Sequence, residues 1–441
     1  MKTAIAFHVQ RVAMILVVSS VSITFAAAPK VVKAVPDNGA KDVDPSTTEI
    51  RVTFDQPMQP GGFSWVGGGE SFPKLNGKAH WADEKTCVLP VKLEAEHDYW
   101  LSVNNQSFKN FRSKTGQPAT PYPIAFSTGA DKNAPKLTVE QNREAIAKLR
   151  KAIDDDYAHR DLKKLDWNKL FEKYTPEIQK AQTPSEFART AAKMLGENQD
   201  MHVWLKVGSR TVPSCTREYR PNWNLAVLKK RTGWQEKSDS VILGKVDGFP
   251  YILVTQWSNP QSIAPAFEAI GDAVADNAKG IIIDIRNNGG GDDALASQVA
   301  GCFINSPKVF AKDRIRKGGE WTEMLERTVE PNRGRPHFKG KVAVLMGQGN
   351  LSSSESFLLM MKLVDGCKLI GETTAGSSGN PRPHDLGNGV VAFLSSWEDF
   401  QPDGTPIEGV GIKPDIEISG DAKNFQTSDP VLDAAVKYLG G

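Results

Sequence analysis

Residues 342–364 read VAVLMGQGNLSSSESFLLMMKLV, and the rest of the chain is organised around them. Val342-Ala343-Val344-Leu345-Met346 is an uncharged, β-type run, the pattern of a strand covered on both faces. Gly347-Gln348-Gly349-Asn350 is a turn. Ser352-Ser353-Ser354-Glu355 then opens an almost wholly apolar segment, with Gly366 just past its end as a helix terminator. The spacing predicts strand, tight turn and buried helix, with hydroxyls at the helix entrance. A serine there can act as a nucleophile, because the free N–H groups of the first turn stabilise nearby negative charge. Ser352-x-x-Glu355 is also a capping-box pattern, and taken alone capping is the commoner use of those residues.

Working outward, the neighbouring segments alternate in the same way. Pro250-Tyr251-Ile252-Leu253-Val254 and Gly280-Ile281-Ile282-Ile283-Asp284-Ile285 read as buried strands. The second breaks into Arg286-Asn287-Asn288-Gly289-Gly290-Gly291, after which Asp292 or Asp293 caps a helix. A glycine-rich loop between strand and helix exposes N–H groups to an anion. Phosphate is one candidate, though neither dinucleotide nor P-loop spacing is present; an oxyanion hole is the other. Alternating strands and helices predict an α/β core with a largely parallel sheet, its site at the carboxyl ends of the strands. That rule puts the glycine loop and the Ser352 turn on one rim.

Composition sets the outer bounds. The chain has 441 residues, enough for two or three domains, and 39% hydrophobic residues, which excludes a polytopic membrane protein. A net charge of +2 gives no reason to expect nucleic acid as a partner. Residues 1–28 read as a secretory signal: Lys2 and Arg11 precede an apolar run, and Ala26-Ala27-Ala28 suits cleavage. The expected location is therefore outside the cytoplasm, periplasmic or secreted. An oxidising compartment permits disulfides among Cys87, Cys215, Cys302 and Cys367, but no cysteine or histidine spacing suits zinc, so no metal is expected.

Residues 30–129 carry alternating strands such as Ile50-Arg51-Val52-Thr53-Phe54, separated by turn signals, and predict an all-β sandwich. Residues 137–205 predict a small helical subdomain: Thr138-x-x-Gln141 and Thr183-Pro184-Ser185-Glu186 are helix starts. His202, in Asp200-Met201-His202, falls where helix gives way to strand. Histidine is the natural base for a serine hydroxyl near neutral pH, yet locally a structural histidine is the commoner case. Glu408 is, on local grounds, an ordinary loop carboxylate. The α/β core is expected over residues 206–441.

Four motifs in order resemble the tail-specific, or C-terminal processing, serine peptidases: 284–291 (DIRNNGGG), 352–355 (SSSE), 371–376 (GETTAG) and 411–416 (GIKPDI). The 36–58 stretch resembles bacterial Ig-like domains. The family register implies Ser352 as nucleophile, and implies an oxyanion hole from the N–H groups of Gly290 and Ser353. The processing branch places a lysine base shortly after the GE-x-T-x-G motif, where this chain has Ser377. The resemblance to the tricorn-like branch implies instead that His202 is the base and Glu408 a third site residue. Only about 40 residues separate His202 from Leu243, too few for the PDZ domain common in the family. The expectation is an exported serine endopeptidase with a protein or peptide substrate and no cofactor, its Ig-like module binding a cell-envelope ligand. The alternatives are an inactive binding protein on a peptidase fold, which the missing lysine invites, and a nucleotide-binding protein resting on the glycine loop alone.

Overall fold

The computed structural model describes residues 27–69, 71–105, 108–130, 136–420 and 422–441, so all but the last two residues of the expected secretory signal lie outside the described residues. The chain divides into two units, Met1–Gly129 and Ala130–Gly441.

The first unit is a β-sandwich. Glu49–Phe54 pairs antiparallel with Val31–Val35 and Thr86–Lys92, while Asp98–Val103 pairs with Trp65–Val66 and Tyr122–Ser127. Burial alternates strictly along Glu49–Phe54, so Ile50, Val52 and Phe54 face inward against Leu101, Val103 and Ile124. This is the period-2 pattern of a half-covered antiparallel strand.

In the second unit, three helices come first: Val139–Asp156, Trp167–Ile178 and Pro184–Gly196. Thr138 and Gln141 form a reciprocal capping box, and Thr183 caps the third helix with Pro184 in its first turn. Their apolar faces close over a sheet in which Trp204–Val207 pairs with Val390–Ser395. The helical subdomain is therefore completed by strands from far along the chain.

The central sheet runs, in spatial order, Gln235–Glu236, Val241–Val246, Phe249–Val254, Gly280–Asp284, Lys341–Met346, Cys367–Gly371 and Ile416–Glu417. The first two pairings are antiparallel and the rest parallel. Pro260–Ala275, Asp293–Ala300 and Ser353–Lys362 contribute to the cluster on one face; Leu225–Thr232 and Pro430–Gly440 to that on the other. With both faces covered, Val342 through Met346 are fully buried, which is why the run carries no charge. Each valine, leucine and methionine of the run contributes about 1.5–3 kcal/mol by leaving water.

Gly280–Asp284 and Lys341–Met346 are adjacent parallel strands with Asp284 opposite Leu345. Their carboxyl ends therefore deliver the glycine loop and the serine turn to the same rim. A further sheet, Lys308–Lys317 with Leu325–Val329 and Trp397–Phe400, was not anticipated from the sequence. All four cysteines are free thiols, and no helix among the described residues is long and apolar enough to cross a membrane.

Candidate active site

Ser352 sits at the N-cap of Ser353–Lys362 with φ 57° and ψ −130°. An L-residue in this region is strained by about 1–3 kcal/mol, and such strain persists only where surrounding contacts over-determine it. Those contacts are visible. The Ser352 N–H donates to Ser377 O at 2.8 Å and to Glu355 Oε2 at 3.2 Å. Glu355 thus makes the return half of a capping box; its own N–H donates to the Ser352 carbonyl at 2.7 Å, with the Ser352 side chain in capping position beside it.

The neighbouring hydroxyls are differently employed. Ser353 Oγ donates to Gly291 O at 2.6 Å, and Ser354 Oγ to Asn288 Oδ1 at 2.7 Å. Both residues are buried, whereas Ser352 is partly exposed. Of three adjacent hydroxyls, two are committed to structure and one is presented.

The turn is braced by two asparagines. Asn350 accepts from Gly347 N–H at 2.8 Å and donates to Asn288 O at 3.0 Å; Asn288 donates to Val254 O at 3.2 Å. A Cβ on Gly290 would stand 2.9 Å from Ser352 Cβ and from Leu351 O, and its φ is +107°. Only glycine lets the loop lie that close to the serine. Of the two expected oxyanion donors, Ser353 N–H has no acceptor among the described residues, whereas Gly290 N–H donates to Asn288 Oδ1 at 2.9 Å.

Ser377 joins this turn to His202. Its carbonyl accepts from Ser352, its N–H donates to Glu355 Oε2 at 3.0 Å, and its Oγ lies 3.1 Å from His202 Nδ1. The histidine's ring contact thus runs to Ser377 and not to Ser352. His202 is buried, and burial pushes its imidazole down to about 4, against the pull of Asp200. Its backbone N–H donates to Asp200 Oδ1 at 2.8 Å. Gly379 lies flush against it, since a Cβ there would stand 3.3 Å from His202 Cβ. Arg217 clamps the two segments, donating to Gln199 O at 3.0 Å and Ala375 O at 3.2 Å.

Glu408 is buried and reaches the same turn through Ser378, whose N–H donates to its Oε2 at 3.0 Å. Its Oε1 has no partner among the described residues. Burial pushes Glu408 up to about 7, with the His159 charge opposing. Glu355 is pushed up to about 8, again by burial, against hydrogen bonds from Thr374, Ser377 and Gly376.

The chain therefore brings Ser352, His202 and Glu408 to one turn, where Ser377 contacts Ser352 and His202 and the adjacent Ser378 contacts Glu408. Sequence reasoning named Ser377 only as the place of a missing lysine. It left Asn288 and Asn350 as turn residues and did not single out His159 or Arg217. Buried asparagines flanking glycines in a loop are a usable signal, because each must be fully hydrogen-bonded to be tolerated.

Residues 249–418 match Peptidase family S41, residues 141–196 the Tricorn protease C1 domain, and residues 26–128 a bacterial Ig-like domain. A protein described as "Probable CtpA-like serine protease" from Staphylococcus aureus (strain COL) is 29% identical over 160 residues, which are 36% of this chain and 31% of that protein. Its counterpart from Staphylococcus haemolyticus is 29% identical over 151 residues, 34% of this chain and 29% of that one. The chain spans under a third of the length of these curated relatives. The crystal structure of a candidate peptidase from Parabacteroides merdae ATCC 43184 shares the fold, with a TM-score of 0.59 at 21% identity, over 68% of this chain and 97% of that one. In chain order, then, a bacterial Ig-like domain match at residues 26–128 is followed by a Tricorn protease C1 domain match at 141–196 and a Peptidase family S41 match at 249–418 that contains Ser352 and Glu408.

Proposed function

We propose that the chain is an exported serine endopeptidase in which Ser352 is the nucleophile and His202 its general base. The observation that carries this reading is the division of labour among the three serines: Ser353 and Ser354 are buried and donate to backbone or amide oxygens, whereas Ser352 is partly exposed, on a strained turn that Ser377 ties to a buried histidine.

The geometry supports the following sequence. The reaction uses the tautomer in which His202 donates Nδ1–H to Ser377 Oγ, because that one leaves Nε2 as proton acceptor. Because burial depresses its basicity, the ring is neutral throughout the neutral range. Ser352 Oγ attacks the peptide carbonyl carbon as its proton passes to Nε2. The imidazolium so formed is stabilised by the nearby Asp200 carboxylate, and returns the proton to the leaving amine as the C–N bond breaks. Water then hydrolyses the acyl-enzyme by the same steps. Ser353 N–H is the available oxyanion donor, and Gly290 N–H serves as a donor shared with Asn288. Glu408 orders the Ser377–Ser378 turn through Ser378. No cofactor enters any step. Cell-envelope binding by the β-sandwich is the role proposed for the first unit.

A fluorophosphonate probe tests this. It should label the wild-type chain at Ser352, with no label on Ser352→Ala, and casein should be cut only by the wild type. Label retained at Ser353 or Ser354 would refute the register. An unlabelled, inactive wild type would instead support the peptide-binding alternative. Ser377→Ala has its own expected outcome. Loss of a hydrogen bond to a group that becomes charged costs about 1.5–3 kcal/mol, so kcat should fall roughly 10–100-fold with KM nearly unchanged. An unchanged kcat would show that His202 does not need this hydroxyl.

A further inference from the structure

A second histidine lies behind the first. His159 follows the helix Val139–Asp156 and is 1% exposed. Its Nδ1 is 2.9 Å from Asp200 Oδ2, the carboxylate whose other oxygen holds the His202 backbone. Its Nε2 is buried with no partner among the described residues, as is Glu408 Oε1. One ligand-type atom from each of His159, Asp200 and Glu408 lies within 4.8 Å of the others.

Two readings compete, a cation site and an ion cluster. Asp200 decides between them. Its Oδ2 already receives the Tyr157 hydroxyl at 2.9 Å, the Ser395 hydroxyl at 2.9 Å and His159, while Oδ1 receives the His202 N–H. A carboxylate taking four donors has its lone pairs occupied and makes a poor ligand. Two buried carboxylates without a counter-charge would be costly. His159 is the cationic group within reach of both.

We propose that His159 is a buried imidazolium and a positioning residue: it is the counter-charge to Asp200 and Glu408, and by its positive charge it holds His202 in the unprotonated form that a base requires. This rests on His202 being the base. The electrostatics agree in direction. Burial opposes charge on His159, but Asp200, then Glu408 and Glu398, outweigh it and hold the ring above its ordinary value. The same positive charge acts against protonation of His202, after burial and against Asp200. The groups acting on His202 are Asp200 on its own segment and His159 after the first helix, with Ser377 against its ring; Tyr157 bonds Asp200, and Glu408 bonds the Ser378 N–H. From the segment beyond the hairpin, the Arg217 charge acts on Glu408.

His159→Asn tests the idea, because asparagine Nδ2 can replace His159 Nδ1 as donor to Asp200 without the charge. With the positive neighbour gone and Asp200 still ionised, His202 becomes easier to protonate. The acid limb of probe acylation should therefore move to higher pH by about one unit or more, the usual effect of one nearby charge. A purely structural role would lower the plateau and leave the limb in place, and that result overturns the proposal. The His202 ring resonances, titrated by NMR in the full chain, should show the same upward move. They report whether or not the protein cuts peptides, so failure of the peptidase reading is separable from failure of this one. Should the variant not fold, the wild type still decides: His159 must be doubly protonated at pH 7, and a neutral ring there refutes the assignment.

Discussion

Ser352→Ala, His202→Ala and the double variant should each lower kcat by on the order of 10⁴–10⁶, with the double variant no worse than the worse single one. The reason is that nucleophile and base act on one proton. Without the hydroxyl there is nothing for the imidazole to accept; without the imidazole the serine proton has no acceptor in a buried site. What remains is binding together with oxyanion stabilisation at Ser353, which neither substitution touches. KM should change little, because both groups act on the reacting bond and not on the bound peptide. Steady-state kinetics on a fluorogenic peptide, with matched circular dichroism to show that each variant is folded, measures this. Losses that add would mean that the two residues work independently, and would break the pairing inferred through Ser377. The strain at Ser352 adds a corollary. Since φ 57° suits glycine, relief of about 1–3 kcal/mol opposes any destabilisation in Ser352→Gly, which should be inactive yet nearly as stable as the parent.

The parts legible from the chain alone were those written in local pattern. The buried strand at 342–346, the capped helices opening at Thr138 and Thr183, and the alternating strand Glu49–Phe54 all announce themselves within a few residues. The rim on which the glycine loop meets the serine turn followed from a topological rule and needed no coordinates. The unread parts depend on distant pairing. Ser377 reaches His202 across 175 positions, and Asp200 reaches His159 across 41 and Ser395 across 195. No local period encodes such contacts. The strand Lys308–Lys317 was invisible for a different reason. Its sequence, KVFAKDRIRK, looks solvated, yet Asp313 is buried and its charge is met by Arg327 at 3.9 Å. Paired charge inside a sheet defeats any reading based on hydropathy.

Arg286→Met should destabilise the second unit by about 3–5 kcal/mol, the cost of breaking a buried ion cluster by removing one partner. Arg286 is buried between Asp284 and Asp429, with Nη2 2.7 Å from Asp284 Oδ2 and 2.8 Å from Asp429 Oδ2. Its Nη1 also donates to Asn222 O at 2.9 Å. Removing the guanidinium leaves two carboxylates facing each other out of water. One bonds Tyr251 and the other caps the C-terminal helix Pro430–Gly440 at Leu432, so neither can swing out to solvent without further loss. At roughly 2–4 °C per kcal/mol for a domain of comparable size, Tm should drop by on the order of 10 °C. The same cluster bears on the site. Asn222, held by Arg286, donates to Met346 O at 2.9 Å, the last residue of the strand that feeds the Ser352 turn. Activity measured well below Tm should therefore fall by less than stability, since Asn288, Asn350 and Ser377 still brace the turn. The triple variant Arg286→Met with Asp284→Asn and Asp429→Asn separates the causes. Asparagine can keep the Tyr251 contact and the helix cap while removing both charges, so most of the lost Tm should return. A single variant with unchanged Tm would show that the cluster contributes nothing net; a triple variant as unstable as the single one would place the cost in lost packing, not in unpaired charge.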